Sequence, residues 1–262
     1  MSLDITAPRR QMCRTEYRGT GFQSYHPKSS KKNEVKPHLK KCHVIPPEQD
    51  GDFVAAMEDV LDVYVRPYDP KYPVVCMDEQ PRQLIGEERI PIPAKPGRVL
   101  LYDNQYVRNG TVCNFMFFEP LGNWRRVSVR KRRTQKDWAE EIAHLLDTDF
   151  PDAEKVVLVM DNLNTHEIGS LYERFLPKTA RAYVERLEIH FTPKHGSWLN
   201  AAECEFSVLS IQCLDRRIGD IETFRREVLA WQDARNALGS GMDWQFTTED
   251  ARIKLKRLYT QI

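Results

Sequence analysis

The chain has 262 residues, 41% of them hydrophobic and 29% charged. That is enough for one large domain with an ordinary core, and it excludes disorder throughout. No apolar run approaches the roughly 18 residues of a membrane span, and the opening MSLDITAPRRQMCR lacks an apolar signal core, so a cytoplasmic protein with no membrane partner is expected.

The formal charge of +1 conceals an asymmetry, because residues 1–42 carry ten Lys/Arg against three Asp/Glu. They read either as a basic arm on an acidic body or as a solvated tail. The six cysteines form no CxxC pair, which argues against structural zinc, and Cys76 and Cys113 lie in apolar runs as buried, reduced thiols.

In chain order, residues 1–33 are polar and aperiodic and read as a flexible basic arm, and Asn33–Lys41 as a short basic helix. Residues 34–46 join it to a compact domain spanning 47–262. Phe53, Val54, Met57, Val60, Leu61 and Tyr64 follow the spacing of an amphipathic helix. Pro73–Asp78 is a short buried strand that Pro81 keeps from continuing far. Gly97–Asn104 and Thr111–Glu119 read as strands joined around an Asn109-Gly110 turn, with another at Asn123–Val129. A helix is expected near Gln135–Asp147 and an apolar strand at Lys155–Met160. Helical stretches follow at Ser170–Phe175 and Ala180–Arg186, then a half-exposed strand at Leu187–Phe191. Two helices close the chain, one over about Asn200–Leu214 and one with the stripe Ile221, Phe224, Val228 and Trp231. The pattern is α/β.

Two apolar strands end on aspartates, Asp78 and Asp161. Ligands collect at the carboxyl ends of strands in open α/β sheets; alternatively, each aspartate opens a turn. A third acid, Glu203, falls in the first turn of a helix and at the edge of its apolar face, whereas Glu205 is expected in solvent. Three inward-leaning carboxylates would raise one another's pKa, a conflict that Mg²⁺ relieves.

Asp161-Asn162-Leu163-Asn164-Thr165-His166, and Thr192–Asn200 running into Ala201-Ala202-Glu203, resemble the second and third acidic boxes of the DDE transposases. Val75-Cys76-Met77-Asp78-Glu79 resembles the first. The closest group is the bacterial insertion-sequence family numbered 630, within the Tc/mariner superfamily, and the resemblance covers about residues 35–262. It implies an RNase H-like (retroviral-integrase-like) fold, a mixed sheet flanked by helices, over the domain 47–262. In it Asp78, Asp161 and Glu203 would be the catalytic acids holding two Mg²⁺ ions, with Mn²⁺ as a substitute. Two such ions suit in-line displacement at phosphorus by water or a DNA 3′-hydroxyl, and so both strand cleavage and strand transfer.

The same resemblance sets Asn162, His166 and Asn200 beside the acids. Asn162 would orient Asp161, and His166 would touch phosphate or metal-bound water; equally, Asn162 and Thr165 would cap a helix start. Lys194 and His195 are either phosphate contacts or parts of a solvated loop. The run Arg130-Lys131-Arg132-Arg133 suits sequence-indifferent contact with the DNA backbone, or is a solvated face. The expected partner is double-stranded DNA, as transposon ends and a TA-containing target in the nucleoid. A homodimer or a full-length transposase is expected alongside. Residues 34–46 would be what remains of the helix-turn-helix region that family members carry ahead of the catalytic domain. That shortness leaves open a catalytically idle DNA-binding or dimerising remnant; a further alternative is an RNase H-like nuclease unrelated to transposition.

Overall fold

Asp50 opens the first helix by accepting from the backbone N–H groups of Asp52 and Phe53, at 3.0 and 3.2 Å. The helix, α1 (Gly51–Tyr64), buries Phe53, Met57, Val60, Leu61 and Tyr64, the stripe its spacing predicts. The computed structural model describes residues 50–163 and 166–259. All of these belong to one unit, His43–Ile262. The arm 1–33, the segment 34–46 and the helix expected at Asn33–Lys41 lie outside the described residues. Among the described residues no helix is long and apolar enough to cross a membrane.

Five strands follow: β1 (Val74–Glu87), β2 (Tyr106–Glu119), β3 (Trp124–Arg130), β4 (Val156–Asp161) and β5 (Leu187–Thr192). They form one sheet in the order β3-β2-β1-β4-β5. The pairs β1–β2 and β2–β3 are antiparallel, whereas β1–β4 and β4–β5 are parallel. Helices cover both faces. Cys76, Val157 and Val159 pack with α1, α5 (Ala201–Gln212) and α6 (Ile221–Ala237). Val75, Met77, Leu158 and Met160 alternate to the other face, against Trp138 and Ile142 of α2 (Gln135–His144), Leu171 of α3 (Gly169–Arg174) and Ala180 of α4 (Pro177–Glu185). Burial on both faces explains why Val156–Met160 and Phe115–Phe118 are continuous apolar runs. A last helix, α7 (Thr248–Lys254), carries a Thr247/Asp250 capping box that the sequence reading passed over.

Three expectations are corrected. β1 runs through Pro81 to Glu87, because its parallel ladder with β4 ends at Cys76; beyond that it has a partner on one side only, where proline is tolerated. Asn109-Gly110 is not a turn. It lies inside β2, where the pairing slips between Gln83/Thr111 and Ile85/Arg108 and Gly110 adopts φ 102°, a bulge. Gly97–Asn104 forms no strand; only the isolated bridges Ile92↔Leu101 and Lys95↔Arg98 occur there.

The outer edge of β3 is closed by side chains of α6. Gln232 Oε1 accepts from Val127 N–H at 2.8 Å, while Asn236 accepts from Arg125 N–H and donates to Arg125 O, at 2.9 and 2.8 Å. These bonds take up main-chain groups that would otherwise recruit another strand.

Candidate active site

β1 and β4 pair in parallel with Val74 opposite Val157 and Cys76 opposite Val159. Extending that offset by two residues sets Asp78 beside Asp161. Strand alternation then directs both to the face covered by α5, at the carboxyl ends of their strands. The third acid arrives from that helix. Asn200 caps α5 with Oδ1, accepting from Ala202 N–H at 3.1 Å, and its Nδ2 donates to Met77 O at 2.9 Å. One side chain therefore both starts the helix and ties it to β1, one residue before Asp78. Tyr64 of α1 adds a second tie, its hydroxyl donating to Leu199 O at 2.7 Å and accepting from Ala201 N–H at 3.2 Å.

Glu203 lies in the first turn of α5, half-buried, and lines a cavity of about 350 Å³ together with Asp78. Asp161 lines another, of about 550 Å³, with Asn162, Lys194 and His195. Burial, together with the charges of Asp161, Glu203 and Glu79, pushes the Asp78 carboxyl up to about 7, against the lowering bond from Glu79 N–H. Asp161 Oδ1 is buried without an aligned hydrogen bond, although its side chain as a whole is 43% exposed. A buried acid held partly neutral, with two further carboxylates brought to the same end of the sheet, is the condition a hard divalent cation relieves, and oxygen donors are its preferred set. The donor chemistry fits such an ion. Among the described residues, however, no three metal-capable side chains converge to coordination distance.

His166 is buried. Its Nδ1 donates to Asp161 O at 3.0 Å and stands 2.8 Å from Asp161 Oδ1, and Nε2 donates to Glu79 Oε1 at 3.1 Å. Burial opposes charge on the ring, but the Asp161 and Glu79 carboxylates lift it to about 10. The ring is thus enclosed by protein groups. Asn162 is exposed beside the Asp161 cavity and caps no helix, since α3 starts at Ile168 without a side-chain cap. Lys194 and His195 are exposed on the loop between β5 and α5, with His195 in the left-handed region at φ 64°.

The basic run divides. Arg130 is engaged by Asp137, Glu140 and Glu141, at 3.2, 2.7 and 2.5 Å, so it serves the β3–α2 packing. Lys131, Arg132 and Arg133 are exposed. Glu205, expected in solvent, is buried between Arg125 and Arg235, with ion pairs of 2.9 and 3.1 Å. The correction has a physical reason: α5 packs beside α6 on one face of the sheet, so its flank towards α6 and β3 is also interior. Glu79, which the sequence reading did not single out, is the other residue missed. Its adjacency to Asp78 at a strand end was the available signal, since alternation sends it to the opposite face.

A family profile described as DDE superfamily endonuclease matches residues 73–225, more than half of the chain. No curated protein matches the sequence. Among solved structures, the catalytic domain of Mos1 mariner transposase is similar at a TM-score of 0.52 and 12% identity, covering 83% of this chain and all of that one. A pre-cleavage Mos1 transpososome matches at 0.51 and 12%, over 85% of this chain and 68% of that one. The Mos1 mariner paired-end complex with Mn matches at 0.50 and 14%, over 77% of this chain; the match spans 62% of the transposase chain there. At such identities the likeness establishes the fold, the RNase H-like sheet of the DDE enzymes. The carboxylate-bearing strand ends lie inside the profile's span, and the chain belongs to the DDE superfamily of endonucleases.

Proposed function

We propose that this protein is the catalytic domain of a DNA transposase of the Tc/mariner superfamily, within the bacterial insertion-sequence family numbered 630. It would cut DNA strands and join them to a target. The observation that carries the reading is the register of Asp78 beside Asp161, with Glu203 brought to the same end of the sheet by the Asn200–Met77 bond. Asp78, Asp161 and Glu203 would hold two divalent ions, Mg²⁺ or Mn²⁺. When bound, such ions activate the attacking hydroxyl and stabilise the leaving oxygen of an in-line displacement.

The chain's own groups do the rest. Asp78, held near 7, would release its proton to solvent readily as a cation takes its place. Lys194 and His195, exposed at the Asp161 cavity, meet the phosphate backbone, as do Lys131 and Arg132. Residues 47–262 form the catalytic domain in this reading, behind a short linker, 34–46, and a basic arm, 1–33. Its partners are transposon ends, a TA-containing target in the cytoplasmic nucleoid, and a second copy or a full-length transposase. Some of the Mos1 structures are paired-end complexes, one with the left transposon end, which supports DNA ends as substrate.

A supercoiled-plasmid nicking assay with Mg²⁺, Mn²⁺ or EDTA tests the reading. Nicking that needs metal and disappears in Glu203→Gln is expected. A folded protein that binds DNA and nicks with neither metal would refute it, and would favour the idle-remnant alternative.

A further inference from the structure

Glu79 poses a problem that the three-acid site does not solve. Its side chain is 2% exposed on the face away from Asp78, and burying a carboxylate is costly unless it is matched. Oε1 is matched by His166 Nε2 at 3.1 Å, whereas Oε2 has no hydrogen bond, the Arg133 guanidinium standing 3.9 Å away. The His166 ring is held on every side. Nδ1 donates to Asp161 O, Nε2 donates to Glu79, and Trp138 stacks on it with centroids 6.0 Å apart, while the main-chain N–H of His166 donates to Leu163 O at 2.8 Å. With both nitrogens engaged, the ring cannot turn without breaking one bond. The same ring sits 2.8 Å from Asp161 Oδ1, the buried oxygen of a carboxylate that is otherwise open to its cavity.

We infer that Glu79 and His166 are a positioning pair, through which a carboxylate on one face of the sheet fixes the direction of the Asp161 carboxylate on the other. Resting on the metal-site reading above, this assigns Glu79 a role distinct from that of Asp78, its neighbour in sequence. Glu79 locks the ring, the ring holds Oδ1, and the second oxygen of Asp161 is left facing the cavity. Partners that orient a liganding group in this way are worth about 10- to 100-fold in metal affinity. Arg133, exposed like Lys131 and Arg132, is the one of the three that stands near this pair.

The test is Mn²⁺ binding, followed by the electron paramagnetic resonance of the free ion, with melting in EDTA measured on the same samples. Glu79→Ala should weaken Mn²⁺ binding by about 10-fold or more in protein that is still folded. Glu79→Gln, which keeps an oxygen acceptor for Nε2–H, should recover most of the loss. His166→Gln should weaken binding by a similar factor, and adding Glu79→Ala to it should cost nothing more. If Glu79→Ala does not fold, the Glu79→Gln and His166→Gln variants decide. Melting that falls in the variants while Mn²⁺ affinity stays at the wild-type value would reduce the pair to a packing role and overturn the proposal. Mn²⁺ binding lost in Asp161→Asn but unchanged in His166→Gln would do the same while sparing the three-acid reading. Wild-type protein that binds no Mn²⁺ would overturn both.

Discussion

The molecule buries carboxylates in two regions and treats them in opposite ways. On either face of β3, Glu141 of α2 sits among Arg126, Arg130 and Ser128, and Glu205 of α5 between Arg125 and Arg235. Burial pulls Glu141 upward, yet Arg126 and Arg130 hold it below the ordinary carboxylate range. At the carboxyl ends of β1 and β4, Asp78 has a backbone N–H and three other acids for company, and it rises to about 7. The fold therefore has the means to neutralise a buried acid; at the strand ends it sets one imidazole between Asp161 and Glu79 and gives Asp78 none. Paired acids are scaffold; unpaired acids gathered at one place leave room for a cation from outside.

Exchanging the two treatments should break the comparison most visibly at the unpaired end. Asp161→Asn is expected to reduce metal-dependent nicking to the EDTA background. DNA affinity, followed by fluorescence anisotropy, should stay equal or rise, because one repelling charge is gone. At the paired end the cost falls on stability. Glu205→Ala leaves the buried Arg125 guanidinium facing Arg235 with no carboxylate between them and should destabilise by about 3–5 kcal/mol in urea unfolding. An unchanged midpoint would show that the pairing is not structural.

Asp78 gives the comparison a pH signature. Its folded pKa lies above the unfolded one, so the folded state binds more protons between about 4 and 7. Metal-free stability should then fall as pH rises through that window. Asp78→Asn should flatten the profile and melt higher than wild type at pH 8, and Mg²⁺ should restore the wild-type loss there. A flat wild-type profile would show that burial and the neighbouring acids do not raise Asp78. The smallest stability effect belongs to the free surface. Arg132→Ala should change stability by no more than about 0.5 kcal/mol while lowering the salt slope of DNA binding by about one. An unchanged slope would leave Arg132 a solvated side chain.

Much of this was legible beforehand where local pattern and burial agree. The runs ending in Asp78 and Asp161 are strands buried on both faces, and apolar continuity reveals such strands. Asn200 and Glu203 fall together at a helix start, where capping chemistry and the dipole favour them. What escaped depends on partners distant in the chain. His166 meets Glu79 across 87 residues, and Arg125 meets Glu205 from another element; no periodicity encodes either. Asn109-Gly110 carries the chemistry of a tight turn, and a bulge in a long antiparallel pair uses the same freedom of φ. Pro81 misled because a rule for central strands was applied to a stretch paired on one side only.

The most direct test is a crystal soaked in Mn²⁺ and measured for anomalous scattering. Anomalous peaks in contact with the carboxylates of Asp78, Asp161 and Glu203 are predicted, and their loss from Asp78→Asn crystals. Mn²⁺ peaks elsewhere on the molecule, with none at the ends of β1 and β4, would contradict the account.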